Sequence, residues 1–318
     1  MKEIGGYLEL EHYTGKEYHQ LALRFNTVRN SIEYLLKERQ YTKIFIPWYL
    51  CNSISDMLNK ISFDFAYYNI DESFCPILDQ ALQSHEVILI VNYYGLLDNA
   101  IIKKFKDRYS NIILDNTHAF FQNRIEYIDT VYTCRKFFGV SDGAYLYTDM
   151  YCPDYDLLDY DLSATRMGHL LGRFEQTATQ YYNEFKKNDN MLSGQEIKKM
   201  SKLTQNILKS IDYNAVRARR KENFNYLHKK LEEKNKIHIL QKGEYMYPLL
   251  LHNGSEIKKY LISNHVYIPT LWPNVLQNCS KNSWEYYLSE NLILLPIDQR
   301  YTSRDMQYII DLLEKYVK

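Results

Sequence analysis

Apolar positions along the chain fall into two patterns: short runs apolar on both faces, and longer stretches with apolar residues three and four apart. Between Tyr18 and Gln40, Leu21, Leu23, Phe25, Ile32, Leu35 and Leu36 recur at helical spacing, interrupted at Asn26-Thr27. The interruption reads as a helix N-terminus with Asn26 or Thr27 as cap, because a short polar side chain there accepts from first-turn N–H groups. KIFIP is a strand-like run ending in Pro47, followed by a predicted helix at Asn52–Lys60 and a strand at Asp64–Ile70. EVILIVNYYG is a continuous apolar run closed by a turn at Gly95. A helix near Asn99–Arg108 and strands at NIILDN, TVYTC and GAYLYT follow. Strands apolar on both faces that alternate with helices predict an α/β layer with a largely parallel sheet. Ligands of such sheets gather at the carboxyl ends of the strands. Residues 48–52, 92–95, 115–118 and 133–136 are therefore the positions to weigh.

Beyond about Tyr151 the pattern changes. Residues 165–235 read as long helices, and the tail mixes strands (IHIL, YMYPLLL, HVYIP, LILLP) with helices, as in a small α+β domain. The basic run RARRK, among Glu222, Glu232 and Glu233, reads as a solvated helix face rather than a nucleic-acid patch.

Composition narrows the function. The 318 residues carry 39 Lys+Arg against 39 Asp+Glu, and that balance argues against nucleic-acid binding. Five widely spaced cysteines without a C-x-x-C pair point to reduced thiols and a cytoplasmic setting. The start has no apolar signal core, and runs such as 87–91 are far short of the ~20 residues that span a bilayer, so no membrane partner is expected.

Four blocks sit where chemistry could be carried, each with a plainer reading. Asp115 in ILDNTH either caps the next helix or meets a ligand, with His118 three residues on. Lys136 in RKFFG is a surface lysine or a reactive amine. The N-T-V-R helix start holds water or a phosphate on its free N–H groups. N-Y-Y-G lines a pocket or only ends a strand. There is no G-x-G-x-x-G, Walker loop, G-x-S-x-G or H-E-x-x-H, and no metal site is expected.

Taken in order, these blocks, followed by Ser141-Asp142-Gly143-Ala144, IPTLWP and LPIDQRY, resemble the DegT/DnrJ/StrS family of pyridoxal-phosphate (PLP) sugar aminotransferases. The resemblance implies a PLP-transferase (aspartate aminotransferase-like) large α/β domain with a mostly parallel sheet, over residues 1–206. A small C-terminal α+β domain would take residues 207–318. It implies Lys136 as the Schiff-base lysine, Asp115 against the pyridine nitrogen and His118 beside the ring or its 3-hydroxyl. The phosphate would sit at Thr27, Val28 and Arg29 with the Thr133 hydroxyl. Burial and nearby positive charge would keep such a lysine neutral enough to attack a carbonyl.

The chain also departs from the family pattern. The glycine of the phosphate helix is absent, Cys51 stands where a ring-stacking aromatic is usual with Trp48 or Tyr49 as substitutes, and Val131 replaces a serine. A partner-subunit residue is typical of the fold; Asn188, His169 and Arg173 are candidates. The implied function is amino transfer from an amino acid, glutamate by expectation, to a nucleotide-linked keto sugar for cell-surface polysaccharide, by a homodimer. The alternatives are other PLP chemistry such as sugar dehydration, or a non-catalytic binding or regulatory protein that kept the fold.

Overall fold

The structure, a computed structural model, describes residues 4–317. Its first half comprises β1 (Leu23–Phe25), α1 (Val28–Glu38), β2 (Lys43–Pro47), α2 (Asn52–Lys60), β3 (Asp64–Ile70) and β4 (Pro76–Ile77). Then come β5 (Glu86–Val91), α3 (Asn99–Arg108), β6 (Ile112–Asp115), β7 (Asp129–Thr133) and β8 (Ala144–Tyr147). The strands form one sheet in the order β1-β8-β7-β6-β5-β2-β3-β4. The pairings from β3 through β2, β5 and β6 to β7 are parallel, and those of β1 with β8, β8 with β7 and β3 with β4 are antiparallel. Every residue of β5, β6 and β7 is buried, as strands covered on both faces require.

The helical spacing read from Tyr18 onward holds only from α1. Its cap is Thr27, whose side chain accepts from the Asn30 N–H. Upstream, the chain turns and enters β1, which β8 captures as an edge strand. Side chains hold this lead-in: the Tyr18 hydroxyl donates to Phe121 O and His19 Nε2 meets Phe120 O at 2.8 Å. Tertiary pairing has overridden the local pattern.

The second half adds α4 (Gly168–Glu175), α5 (Tyr182–Ser193), α6 (Lys202–Leu208), α7 (Tyr213–Leu231) and β9 (Met246–Leu250). It ends with α8 (Gly254–Ser263), α9 (Pro273–Asn278), α10 (Trp284–Asn291), β10 (Leu292–Pro296) and α11 (Ser303–Val317). β9 and β10 form an antiparallel ribbon. A second core lies on it, with Phe224, Leu227 and Leu231 from α7 against Tyr247, Leu249, Ile293, Ile309 and Leu313. IHIL and HVYIP are not strands. Ile237, Val266 and Ile268 fill the cores from irregular backbone, so their apolarity marked burial and not a ladder. No helix among the described residues is long and apolar enough to cross a membrane, and no group of three or more potential metal ligands clusters there.

Candidate active site

β5, β6 and β7 lie side by side in the sheet, and α1 packs on β7. Asp115 is the last residue of β6, and its carboxylate accepts the Thr117 N–H at 2.8 Å. Burial pushes its carboxyl up, opposed by the Lys136 charge and by hydrogen bonds from Thr117. After β7 a tight turn, with the N–H groups of Phe137 and Phe138 both on Cys134 O, presents Lys136. Its Nζ lies 3.4 Å from Thr117 Oγ1 and 5.7 Å from the centre of the Tyr245 ring. Burial lowers its pKa, Asp115 and Cys51 oppose that, and the Arg135 guanidinium adds to it. The amine is deep in the protein, yet the side chain stays water-accessible. That combination describes the floor of an open cleft.

His118 forms one wall. The chain leaves β5 through a left-handed pair, Tyr94 (φ 57°) and Gly95 (φ 75°). This turn aims the Tyr94 N–H at His118 Nδ1, 3.3 Å away. The imidazole is stacked between Tyr94 and Tyr245, with ring centres at 5.4 and 4.3 Å. Burial, with Lys136 nearby, holds His118 well below the usual histidine range, so it is neutral. Because Nδ1 accepts, the proton belongs on Nε2. That nitrogen is sealed from water and has no partner among the described residues. A buried donor left unpaired costs about 1–3 kcal/mol, and an acceptor on a ligand would satisfy it.

The third component is the N-terminus of α1. The backbone N–H groups of Val28 and Arg29 make no hydrogen bond among the described residues, as expected of first-turn donors. Asn26 fixes the helix start: its Oδ1 accepts from the Thr27 N–H and its carbonyl from the Gly143 N–H. Gly143 has φ 117°, and a Cβ there would stand 3.1 Å from Thr204 and 3.2 Å from Cys134 Sγ, so only glycine closes this junction. The Arg29 guanidinium shares its surroundings with Cys51, Arg135 and Asp189, and burial followed by Arg135 lowers its pKa. Arg135 itself is ion-paired with Asp189 on α5. A dipole end, two free N–H groups and Arg29 together suit an anion. The Thr133 hydroxyl, at the end of β7, makes no hydrogen bond among the described residues.

Asp115 and His118 thus lie near Lys136, and Cys51 stands near both Lys136 and Arg29; Thr133 ends β7, on which α1, capped by Thr27 and opened by Val28, packs. Tyr49 does not join them. Its ring is enclosed, its hydroxyl is 3.0 Å from the Tyr94 hydroxyl, and Trp272 meets it edge-on at 5.0 Å. It belongs to the core beneath the cleft. Trp48 stacks instead on Tyr67, with centres 3.8 Å apart. Asn188 donates within its own chain to Ser141 O, His169 packs on Phe185, and Arg173 is exposed. Two contributors were not read from the sequence. Thr117 could have been found from its place between Asp115 and His118. Tyr245, from the segment before β9, carries no local signal.

These residues fit pyridoxal phosphate: an amine on the cleft floor, a strand-end carboxylate, an anion-ready helix start and an unmatched N–H at His118. No protein-family model matches the sequence, and no curated protein matches it. Solved structures do. NtdA of Bacillus subtilis with bound PMP superposes at TM-score 0.65 and 14% identity, over 92% of this chain and 73% of that one. The sugar aminotransferase CalS13 of Micromonospora echinospora gives 0.62 and 8%, over 92% and 87%. A DegT DnrJ EryC1 StrS aminotransferase of Brucella abortus gives 0.61 and 12%, over 93% and 86%. The chain has the fold of these aminotransferases, the PLP-transferase α/β fold.

Proposed function

We propose that the protein is a PLP-dependent aminotransferase acting on a keto sugar. The observation that carries this reading is the Lys136 amine on the cleft floor, held between the Asp115 carboxylate, Thr117 and the Tyr245 ring. When bound, PLP supplies an electron sink for the carbon that gains or loses the amino group. Val28 and Arg29 would hold its phosphate with their N–H groups, and the Arg29 side chain and Thr133 hydroxyl would add charge and a donor. Asp115 would keep a proton on the ring nitrogen, and the unmatched His118 Nε2–H would be free to donate to the cofactor. Lys136 Nζ would anchor the cofactor, carry a proton away from the donor's α-carbon in the first half-reaction, and deliver one to the carbon that gains the amino group in the second. Thr117 Oγ1 steadies that amine between the two tasks.

The solved relatives support the substrate class. CalS13 is a sugar aminotransferase, NtdA carries PMP, and DesI was solved with its TDP-sugar product. A nucleotide-linked keto sugar as acceptor, glutamate as donor and use in cell-surface polysaccharide extend that reading. A homodimer completes it, because Leu157, Leu162, Leu171 and Phe174 leave an apolar surface exposed along residues 157–174.

The test is a half-reaction. L-glutamate alone, added to PLP-loaded protein, should bleach the cofactor band and release one 2-oxoglutarate per bound cofactor. A bound cofactor that no amino acid converts would sink the aminotransferase reading.

A further inference from the structure

Within the basic run of α7, three members meet carboxylates: Arg217 and Lys221 reach Glu244 at 2.7 and 3.5 Å, and Arg219 reaches Glu222 at 2.7 Å. Arg220 is different. It is 2% exposed and has no ion pair among the described residues. Its donors go to Glu244 O (2.8 Å), Tyr245 O (3.4 Å), Phe137 O (3.3 Å) and Gln299 Oε1 (2.8 Å). Gln299 in turn donates to Phe137 O at 2.8 Å, and the guanidinium lies 4.6 Å from the centre of the Phe137 ring.

A guanidinium buried without a carboxylate is costly, and burial pushes its pKa down to about 10. An apolar side chain would fill the space at less cost, so the geometry of the fork is what the position supplies. That geometry is specific. Phe137 follows Lys136, and Tyr245 is the ring that faces both Lys136 and His118. The one side-chain partner of these four, Gln299, lies in a loop that Asn223 holds through the carbonyls of Ile297, Asp298 and Tyr301.

We propose that Arg220, with Gln299, is a positioning residue for the amine chemistry: it ties the Lys136-bearing turn to the backbone of Tyr245 and so sets the direction of the amine from the C-terminal half. The inference rests on Lys136 being the cofactor lysine, as proposed above.

The experiment uses the full chain loaded with PLP. The visible band of the PLP–lysine adduct is titrated against pH in wild type, Arg220→Met, Arg220→Lys and Gln299→Leu, with thermal midpoints measured alongside. The titration midpoint should move by about half a unit or more in Arg220→Met and Gln299→Leu, because the two remove parts of one clamp. Arg220→Lys should keep most of that shift, since a point charge cannot reproduce the fork. Should Arg220→Met fail to fold, Gln299→Leu decides alone. Variants that melt earlier but titrate with wild type would reduce Arg220 to a structural role and overturn the inference. A wild type without the band would instead overturn the cofactor reading on which it rests.

Discussion

At the residue scale, burial decides the charge state of each group that matters. Lys136 and His118 are driven towards neutrality and Asp115 towards protonation, so the cleft in isolation holds an amine and a carboxyl in tension. Away from the cleft, His19 shows the same physics in a form that can be measured. It is 3% exposed, sits among the rings of Phe120, Tyr132 and Tyr145, and donates from Nε2 to Phe120 O. Burial pushes its pKa from 6.5 down to about 4. The unfolded chain takes up this proton near pH 6.5, while the folded chain refuses it until about pH 4. The stability from neutral His19 is therefore complete above pH 6.5 and lost as pH falls to 4, a loss of about 3 kcal/mol. Urea unfolding of wild type and His19→Gln across this range should show a shallower pH slope in the variant. Equal slopes would contradict the assignment.

At the element scale, legibility followed burial geometry. α2, β3 and the strands β5 to β8 stand where the sequence pattern put them, because a strand buried on both faces or a helix with one apolar stripe leaves a periodic trace. Short runs did not. Leu23–Phe25 became an edge strand only because β8 offers a partner, and IHIL became irregular backbone because none is offered. The cleft divides similarly. Asp115, His118 and Lys136 could be read because each ends a strand or sits in its turn. Tyr245 and the Arg220 fork could not, since their role arises from α7, the β9 approach and the 297–301 loop meeting, more than 50 residues apart in part. RARRK looked like a solvated face and is one for Arg219 and Lys221. A five-residue run cannot show that one of its members turns inward.

At the scale of the whole molecule, the fold brings the ends of β6 and β7 and the β9 approach together around Lys136, whose side chain stays exposed. The exposed apolar segment along residues 157–174 lies in the helical region after the sheet, and α5 within that region sends Asp189 to Arg135 beside Lys136. Covering that surface with a second copy would bury Phe174, which is 92% exposed in the single chain. Sedimentation velocity should give a two-chain mass for wild type and a lower mass for Phe174→Asp. A one-chain mass in wild type would remove the dimer from the account. The central claim is that Lys136 is the amine that holds PLP. Purified protein is incubated with PLP, reduced with borohydride, digested and mapped, with Lys136→Ala alongside. A visible band that reduction abolishes and a single labelled peptide bearing Lys136 are expected, with band and label both absent from a folded Lys136→Ala. A label on another lysine, or an undiminished band in Lys136→Ala, would contradict it.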